Sequence, residues 1–187
     1  MEGKINLILT GVIIGTILGV ELVHYSTTLA CPHNINLELT EVVPIWDRGY
    51  FPEAHKQLQQ ARKSIHMAQF ELKYYEKHPN SSVNILIKDI IEAHKRGVDV
   101  KIIVDEFSEV SNAFDILKQN GIEVKMDPKN TTTHTKLIII DGETVILGST
   151  NLSYYALELN NEVNVMLKNS RTAEYYEKYF WNLWNSN

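Results

Sequence analysis

The chain has 187 residues, 44% hydrophobic and 22% charged, which is material for one ordinary core of about 150 residues plus an appendage. Its net charge of −5, from 23 acidic against 18 basic residues, excludes a protein that coats nucleic acid through a generally basic surface, while leaving room for a local basic cleft. A single cysteine, Cys31, excludes an intrachain disulfide, and no Cys-x-x-Cys or His-x-x-x-His spacing offers a structural zinc site.

Residues 5–20 carry no charge, with Lys4 before them, Glu21 after them and an apolar extension through Tyr25. As a helix this run spans roughly 24 Å against a hydrocarbon core of ~30 Å, and the extension makes a single membrane span plausible. The reading is an uncleaved anchor over residues 1–25, followed by a linker over 26–37. The competing reading is a cleaved signal peptide, with Thr28-Leu29-Ala30-Cys31 faintly like a lipoprotein cleavage site. Lys4 predicts an N-inside orientation, which puts the rest of the chain on the extracytoplasmic side. Gly11, Gly15 and Gly19 line one face of the span, a spacing that lets two membrane helices approach closely.

After the linker, residues 39–45 read as a first strand. Pro52 opens a helix through Lys63, with Ala54, Leu58 and Ala61 at helical spacing. Residues 65–72 alternate as a strand, and a polar loop with His78-Pro79-Asn80 follows. Ser82 is expected to cap a helix to Arg96 that Gly97 ends, with Ile85, Leu86, Ile90 and Ala93 on its apolar face. Then come a buried strand over 98–104, a helix over 112–119 stopped by Gly121, and a strand over 122–126. Residues 135–140 and 144–147 form a hairpin, 150–159 a connection, 163–167 a last strand and 171–184 a last helix. Tyr176, Phe180 and Trp184 fall four apart on that helix as a packing face. Strands alternating with helices predict an α/β fold, a mixed β-sheet with helices on both faces.

The stretch from His134 to Asn151 carries the chemistry. Asp141-Gly142 is a strong hairpin signal between two β-branched, aliphatic runs. With Asp141-Gly142 as the two turn residues, His134 falls opposite Ser149; with Gly142-Glu143, it falls opposite Asn151. His134 and Lys136 are two apart and share one face of their strand. A base or nucleophile, a fixed cation and neutral donors therefore converge at the open end of one hairpin. That set suits a phosphodiester, whose transition state carries charge on its non-bridging oxygens.

The pattern His134-x-Lys136, Asp141, Gly148-Ser149-x-Asn151 resembles the signature of the phospholipase D superfamily without a gap or a substitution. Glu162, in Asn-Asn-Glu-Val-Asn-Val, stands where nuclease-like members carry an acidic residue that holds the nucleophilic histidine. The resemblance covers the chain from about residue 42 to its C-terminus and makes residues 38–187 a catalytic domain with the phospholipase D-like fold. It implies that His134 attacks phosphorus to form a phosphohistidine that water hydrolyses, while Lys136 and Asn151, with Ser149, hold the phosphoryl oxygens. It implies that Glu162 accepts a hydrogen bond from the other imidazole nitrogen and that Asp141 orders the motif. No metal and no cofactor is implied.

The motif occurs once, and single-motif relatives work as twofold dimers. The expectation is a homodimer in which His134 of one subunit attacks while its twin donates a proton to the leaving group. The other histidines, His24, His33, His55, His66, His78 and His94, stand in no ligand or triad spacing, and His66 is the reserve acid if no second chain supplies one. Resemblance to small bacterial nucleases and their membrane-anchored eukaryotic relatives implies nucleic acid as substrate, single strands favoured, with Lys73, Lys77, Lys125, Lys129 and Lys136 along the strand's path. The anchor and the acidic charge favour a phospholipase acting on a lipid such as cardiolipin. A non-catalytic phosphate-binding module is the third reading, and the intact motif argues against it.

Overall fold

The computed structural model describes residues 40–106, 113–128 and 131–186. The anchor and linker expected over 1–37, Gly11, Gly15 and Gly19 among them, lie outside these residues. Among the described residues no helix is long and apolar enough to cross a membrane.

Seven strands pair in one mixed sheet: β1 (Glu41–Trp46), β2 (Ser64–Gln69), β3 (Asp99–Val104), β4 (Glu123–Met126), β5 (Lys136–Ile140), β6 (Thr144–Gly148) and β7 (Val163–Lys168), in the order β1-β7-β6-β5-β2-β3-β4. Strands β2, β3 and β4 run parallel, as helical crossovers require, and β5, β6, β7 and β1 are antiparallel neighbours. The crossovers are α2 (Ser82–Lys95) and α3 (Ala113–Gln119), while α1 (Tyr50–Gln60) precedes β2 and α4 (Ser170–Asn185) follows β7.

Helices cover both faces, and the two-residue period of the strands explains how. Met67, Ile102, Ile138 and Ile146 point into a core shared with Leu58 of α1, Leu86 and Ile90 of α2 and Leu117 of α3. Their neighbours Ala68, Ile103, Ile139 and Val145 point the other way, onto Ala173, Phe180 and Trp184 of α4. The Tyr176/Phe180/Trp184 face packs as its spacing predicts. Phe180 alone, fully buried, contributes about 2–3 kcal/mol by removing its ring from water.

Four local expectations change. Helix α1 ends at Gln60, not Lys63. The guanidinium of Arg96 donates to the carbonyls of Leu58, Gln59 and Ala61 at 3.2, 3.1 and 3.3 Å, satisfying acceptors that a continuing helix would have used. Ser81, not Ser82, is the N-cap of α2, without a side-chain cap bond, and the Ser82 hydroxyl donates instead to Glu158. The connection after Asn151 contains a π-helical turn, Tyr155–Leu159.

The hairpin turn has three residues. Ile140 pairs with Thr144, so Asp141, Gly142 and Glu143 form the loop, with φ of 57° at Asp141 and 66° at Gly142. Glycine tolerates that left-handed conformation freely. Asp141 is held in it because its carboxylate accepts the N–H groups of Arg62, Lys63 and Ser64 at 3.0, 2.6 and 3.1 Å. Neither two-residue register is realised, and His134 is in register with neither Ser149 nor Asn151.

Candidate active site

His134 ends an extended run that leads into β5. Two carboxylates fix that run from below: Thr133 N–H donates to Asp105 at 2.8 Å and to Asp127 at 3.0 Å. One residue past His134, Thr135 accepts Phe70 N–H at 2.8 Å and donates its hydroxyl to Ala68 O at 2.9 Å. These bonds extend the β2–β5 pairing and lay the Phe70 ring against the imidazole, centroids 4.3 Å apart.

Lys136 reaches the same spot from inside the sheet. Its ammonium lies 3.3 and 3.1 Å from the two ring nitrogens of His134 and 4.8 Å from the Phe70 centroid. An ammonium has only donors, so a contacted imidazole nitrogen accepts and keeps a lone pair. Lys136 is buried. Burial pushes its ammonium below the usual lysine range, opposed by the negative charges of Glu162, Glu71 and Asp105. This is a buried cation beside an imidazole, its charge offset by three carboxylates.

The other half of the motif is built by close packing. A Cβ on Gly148 would meet the carbonyl oxygen of Val163 at 2.5 Å, so only glycine lets β6 approach β7 there. Buried Asn164 then holds Thr150 twice, accepting its N–H at 3.2 Å and donating to its hydroxyl at 2.8 Å. The Ser149 hydroxyl donates to buried Glu162 and accepts Val163 N–H at 3.1 Å. Asn160 donates to the other Glu162 oxygen at 3.0 Å. Asn151 keeps a buried side-chain oxygen that no described residue satisfies.

The predicted residues therefore assemble as two pairs, His134 with Lys136 and Ser149 with Glu162, linked by the field of Glu162 on Lys136. Within one chain the carboxylate of Glu162 bonds Ser149 and Asn160, while the ring nitrogens of His134 meet Lys136. Ser149 is likewise engaged with Glu162 rather than presented as a free donor. Asp141 stands at the far end of β5, about 20 Å along the strand from His134, where it orders the turn.

Two further expectations do not survive. His66 faces α4, on the opposite side of the sheet from Lys136, with its Nδ1 bonded to Glu177 at 2.8 Å and its ring stacked on Phe180. It is too far inside that layer to act as the reserve acid. Lys125 donates to the Trp184 carbonyl at 2.9 Å and lies over the Trp184 ring, capping α4 instead of approaching the site. Lys129 lies outside the described residues. Phe70, Asp127 and Asn164 were not singled out from the sequence. Only Asn164 carried a signal, two positions past Glu162 on the same strand face.

Residues 55–184 match the family model described as "Cardiolipin synthase, PLD-like domain". A phospholipase D of Rickettsia typhi is 30% identical over 184 residues, 88% of this chain and 85% of that one. A mitochondrial cardiolipin hydrolase of Chlamydomonas reinhardtii is 33% identical over 98 residues, 51% of this chain but only 44% of the algal protein. Among solved structures, the phospholipase D family member Nuc from Salmonella typhimurium superposes with a TM-score of 0.69 at 26% identity, covering 78% of this chain and 95% of that one.

Proposed function

Because this chain belongs to the phospholipase D-like family and is a phosphodiester hydrolase, we propose that it cleaves its substrate through a phosphohistidine on His134. The observation that carries this reading is the Lys136 ammonium 3.1 Å from a ring nitrogen of His134. A phosphodiester entering there draws the ammonium onto a non-bridging oxygen and leaves the imidazole lone pair facing phosphorus. The nitrogen–phosphorus bond forms as the phosphorus–oxygen bond to the leaving group breaks, and the departing alkoxide takes a proton. Water then attacks the phosphohistidine, returning the imidazole. Asn151, three residues past the close approach at Gly148, supplies a second donor to the phosphoryl group through its side-chain amide. Neither step calls for a metal ion.

The proton for the leaving group comes from His134 of a second copy. The described chain offers no other imidazole on this face of the sheet near Lys136, and the surface beside Glu162 suits a partner. Val163 is 73% exposed and its pairing neighbour Trp46 is 64% exposed, an apolar strip directly next to the site. Residues 1–25 act as a membrane anchor that gathers two catalytic domains, with the domain on the extracytoplasmic side.

Nucleic acid is the substrate class assigned, as an endonuclease substrate with single strands preferred. A membrane phospholipid is the second reading, supported by the names of the Rickettsia and Chlamydomonas relatives. The test is hydrolysis of bis(4-nitrophenyl) phosphate, a single-stranded oligonucleotide and cardiolipin by the wild-type chain and by His134→Ala. The expected result is cleavage of the first two by the wild type alone. Activity retained by His134→Ala overturns the mechanism, and cardiolipin hydrolysis with inert oligonucleotide reverses the substrate.

A further inference from the structure

A slot of about 710 Å³ opens between the loop over residues 75–81 and the start of the π-helical turn, lined by Tyr75, Lys77, His78, Tyr154 and Tyr155. None of these residues belongs to the His134 centre. The two are joined by short, defined backbone. Phe70, packed on His134, leads through a bridge between Leu72 and Leu152, where Leu152 N–H donates to Glu71 O at 3.1 Å and Lys73 N–H to Leu152 O at 2.9 Å. Tyr75 follows Phe70 by five residues and so lies no more than ~18 Å from it. Tyr154 follows Asn151 by three.

Both walls of the slot are preformed. Asn84 of α2, buried, accepts Tyr75 N–H at 3.0 Å and donates to the carbonyls of Tyr75 and His78 at 2.8 and 3.1 Å. Ser82 of the same helix ties down the opposite wall through Glu158. Tyr154 N–H donates to the Tyr75 hydroxyl at 3.1 Å and closes the slot at its base. The rings of Tyr75 and Tyr154 meet edge-on at 6.4 Å and those of Tyr154 and Tyr155 at 5.9 Å. Tyr154 is nevertheless 44% exposed and Tyr155 66%, and both line the slot. Lys77 is exposed at the rim.

We propose that this slot is a base-stacking subsite for single-stranded nucleic acid, with the rings of Tyr154 and Tyr155 receiving bases and Lys77 meeting a neighbouring phosphate. It rests on the proposed phosphodiesterase reading only in placing the scissile backbone at His134. The chemistry of the walls selects the ligand. Every base has a π-face, so aromatic rings with an adjacent cation bind single strands with little regard to sequence. A bilayer needs a protruding apolar tip to insert, whereas this feature is concave and rimmed by hydroxyls and an imidazole.

The experiment uses the full-length His134→Ala chain, which binds without cutting, and fluorescence anisotropy of two labelled strands. One is oligothymidylate, and the other is an abasic phosphodiester strand of equal length and charge. The thymidylate strand is expected to bind roughly tenfold more tightly than the abasic one. Tyr155→Ala is expected to erase that margin and Tyr155→Phe to keep it, while Tyr155→Leu, apolar but without a π-face, does not restore it. Equal affinity for both strands, or a margin that survives in Tyr154→Ala and Tyr155→Ala, overturns the proposal. So does a chain that binds phosphatidylcholine vesicles containing cardiolipin but neither strand. Failure of the catalytic reading shows separately, as a wild-type chain that leaves bis(4-nitrophenyl) phosphate intact.

Discussion

The carboxylate of Asp141 accepts the backbone N–H of Lys63 at 2.6 Å, at the end of β5 away from His134. One motif residue thus braces the turn, about 20 Å along the strand from the histidine proposed to attack substrate. Asp141→Ala removes the acceptor for three N–H groups and leaves a left-handed backbone that alanine disfavours. We expect a stability loss of about 2–3 kcal/mol, read as a lowered denaturation midpoint. Turnover per folded molecule should change only a few-fold, and a loss as deep as that of His134→Ala would place Asp141 in the chemistry.

If the proposed mechanism holds, Lys136 should set the alkaline limb of activity. Its pKa is lowered by burial, and the ammonium must be charged to neutralise a phosphoryl oxygen. Activity should therefore fall on the alkaline side at a pH below the ordinary lysine range, and Lys136→Arg should move that limb upward. For stability the sign is opposite. A lysine with a lowered folded pKa is destabilising while ionised, and the fold gains as pH rises through that pKa. Lys136→Ala should lose about 10²–10³-fold in kcat with its melting temperature unchanged or raised. A normal fall in activity, only above the usual lysine range, would remove burial as the controlling effect.

Cleavage should persist in excess EDTA, because the proposed steps use only imidazole, ammonium and amide groups. An alkaline quench during turnover, which spares the acid-labile nitrogen–phosphorus bond, should recover phosphorus on His134. A requirement for added divalent metal, or phosphorus on no histidine, counts against the mechanism.

Assembly can be read by mixing. If two copies of His134 form one centre, adding His134→Ala chains to wild type should reduce specific activity faster than the wild-type fraction falls. Val163→Asp, placing charge in the exposed strip beside Glu162, should weaken self-association and activity together. A fully active monomer, or activity diluted only in proportion, makes each chain self-sufficient.

How much the sequence discloses differs between the two halves of the site. The spacing of His134, Lys136, Ser149 and Glu162 was legible because it is a local property of the chain, which the fold sets at the ends of three strands, β5, β6 and β7. The two-residue hairpin was not, because the extra loop residue is held by Arg62, Lys63 and Ser64, far away in sequence. The same holds for the end of α1, set by Arg96, and for Lys125, drawn to the end of α4. The strand and helix order followed from apolar periodicity, whereas Phe70 on His134 depends on β2 and β5 pairing across a long connection. Asn84 lay silent inside an amphipathic helix pattern, since nothing in that periodicity marks a buried amide.

Asn84 grips the main chain of Tyr75 and His78 and never the side chains between them. The width of the slot is thus encoded in a helix behind the loop, while the character of its rim is encoded at positions 76–80. These two properties can be altered separately. Side chains at 76–80 can be exchanged to make the rim more basic, more apolar or more crowded without the walls moving. The loop is a mounting frame on which a new ligand preference can be installed while the distance to His134 stays fixed.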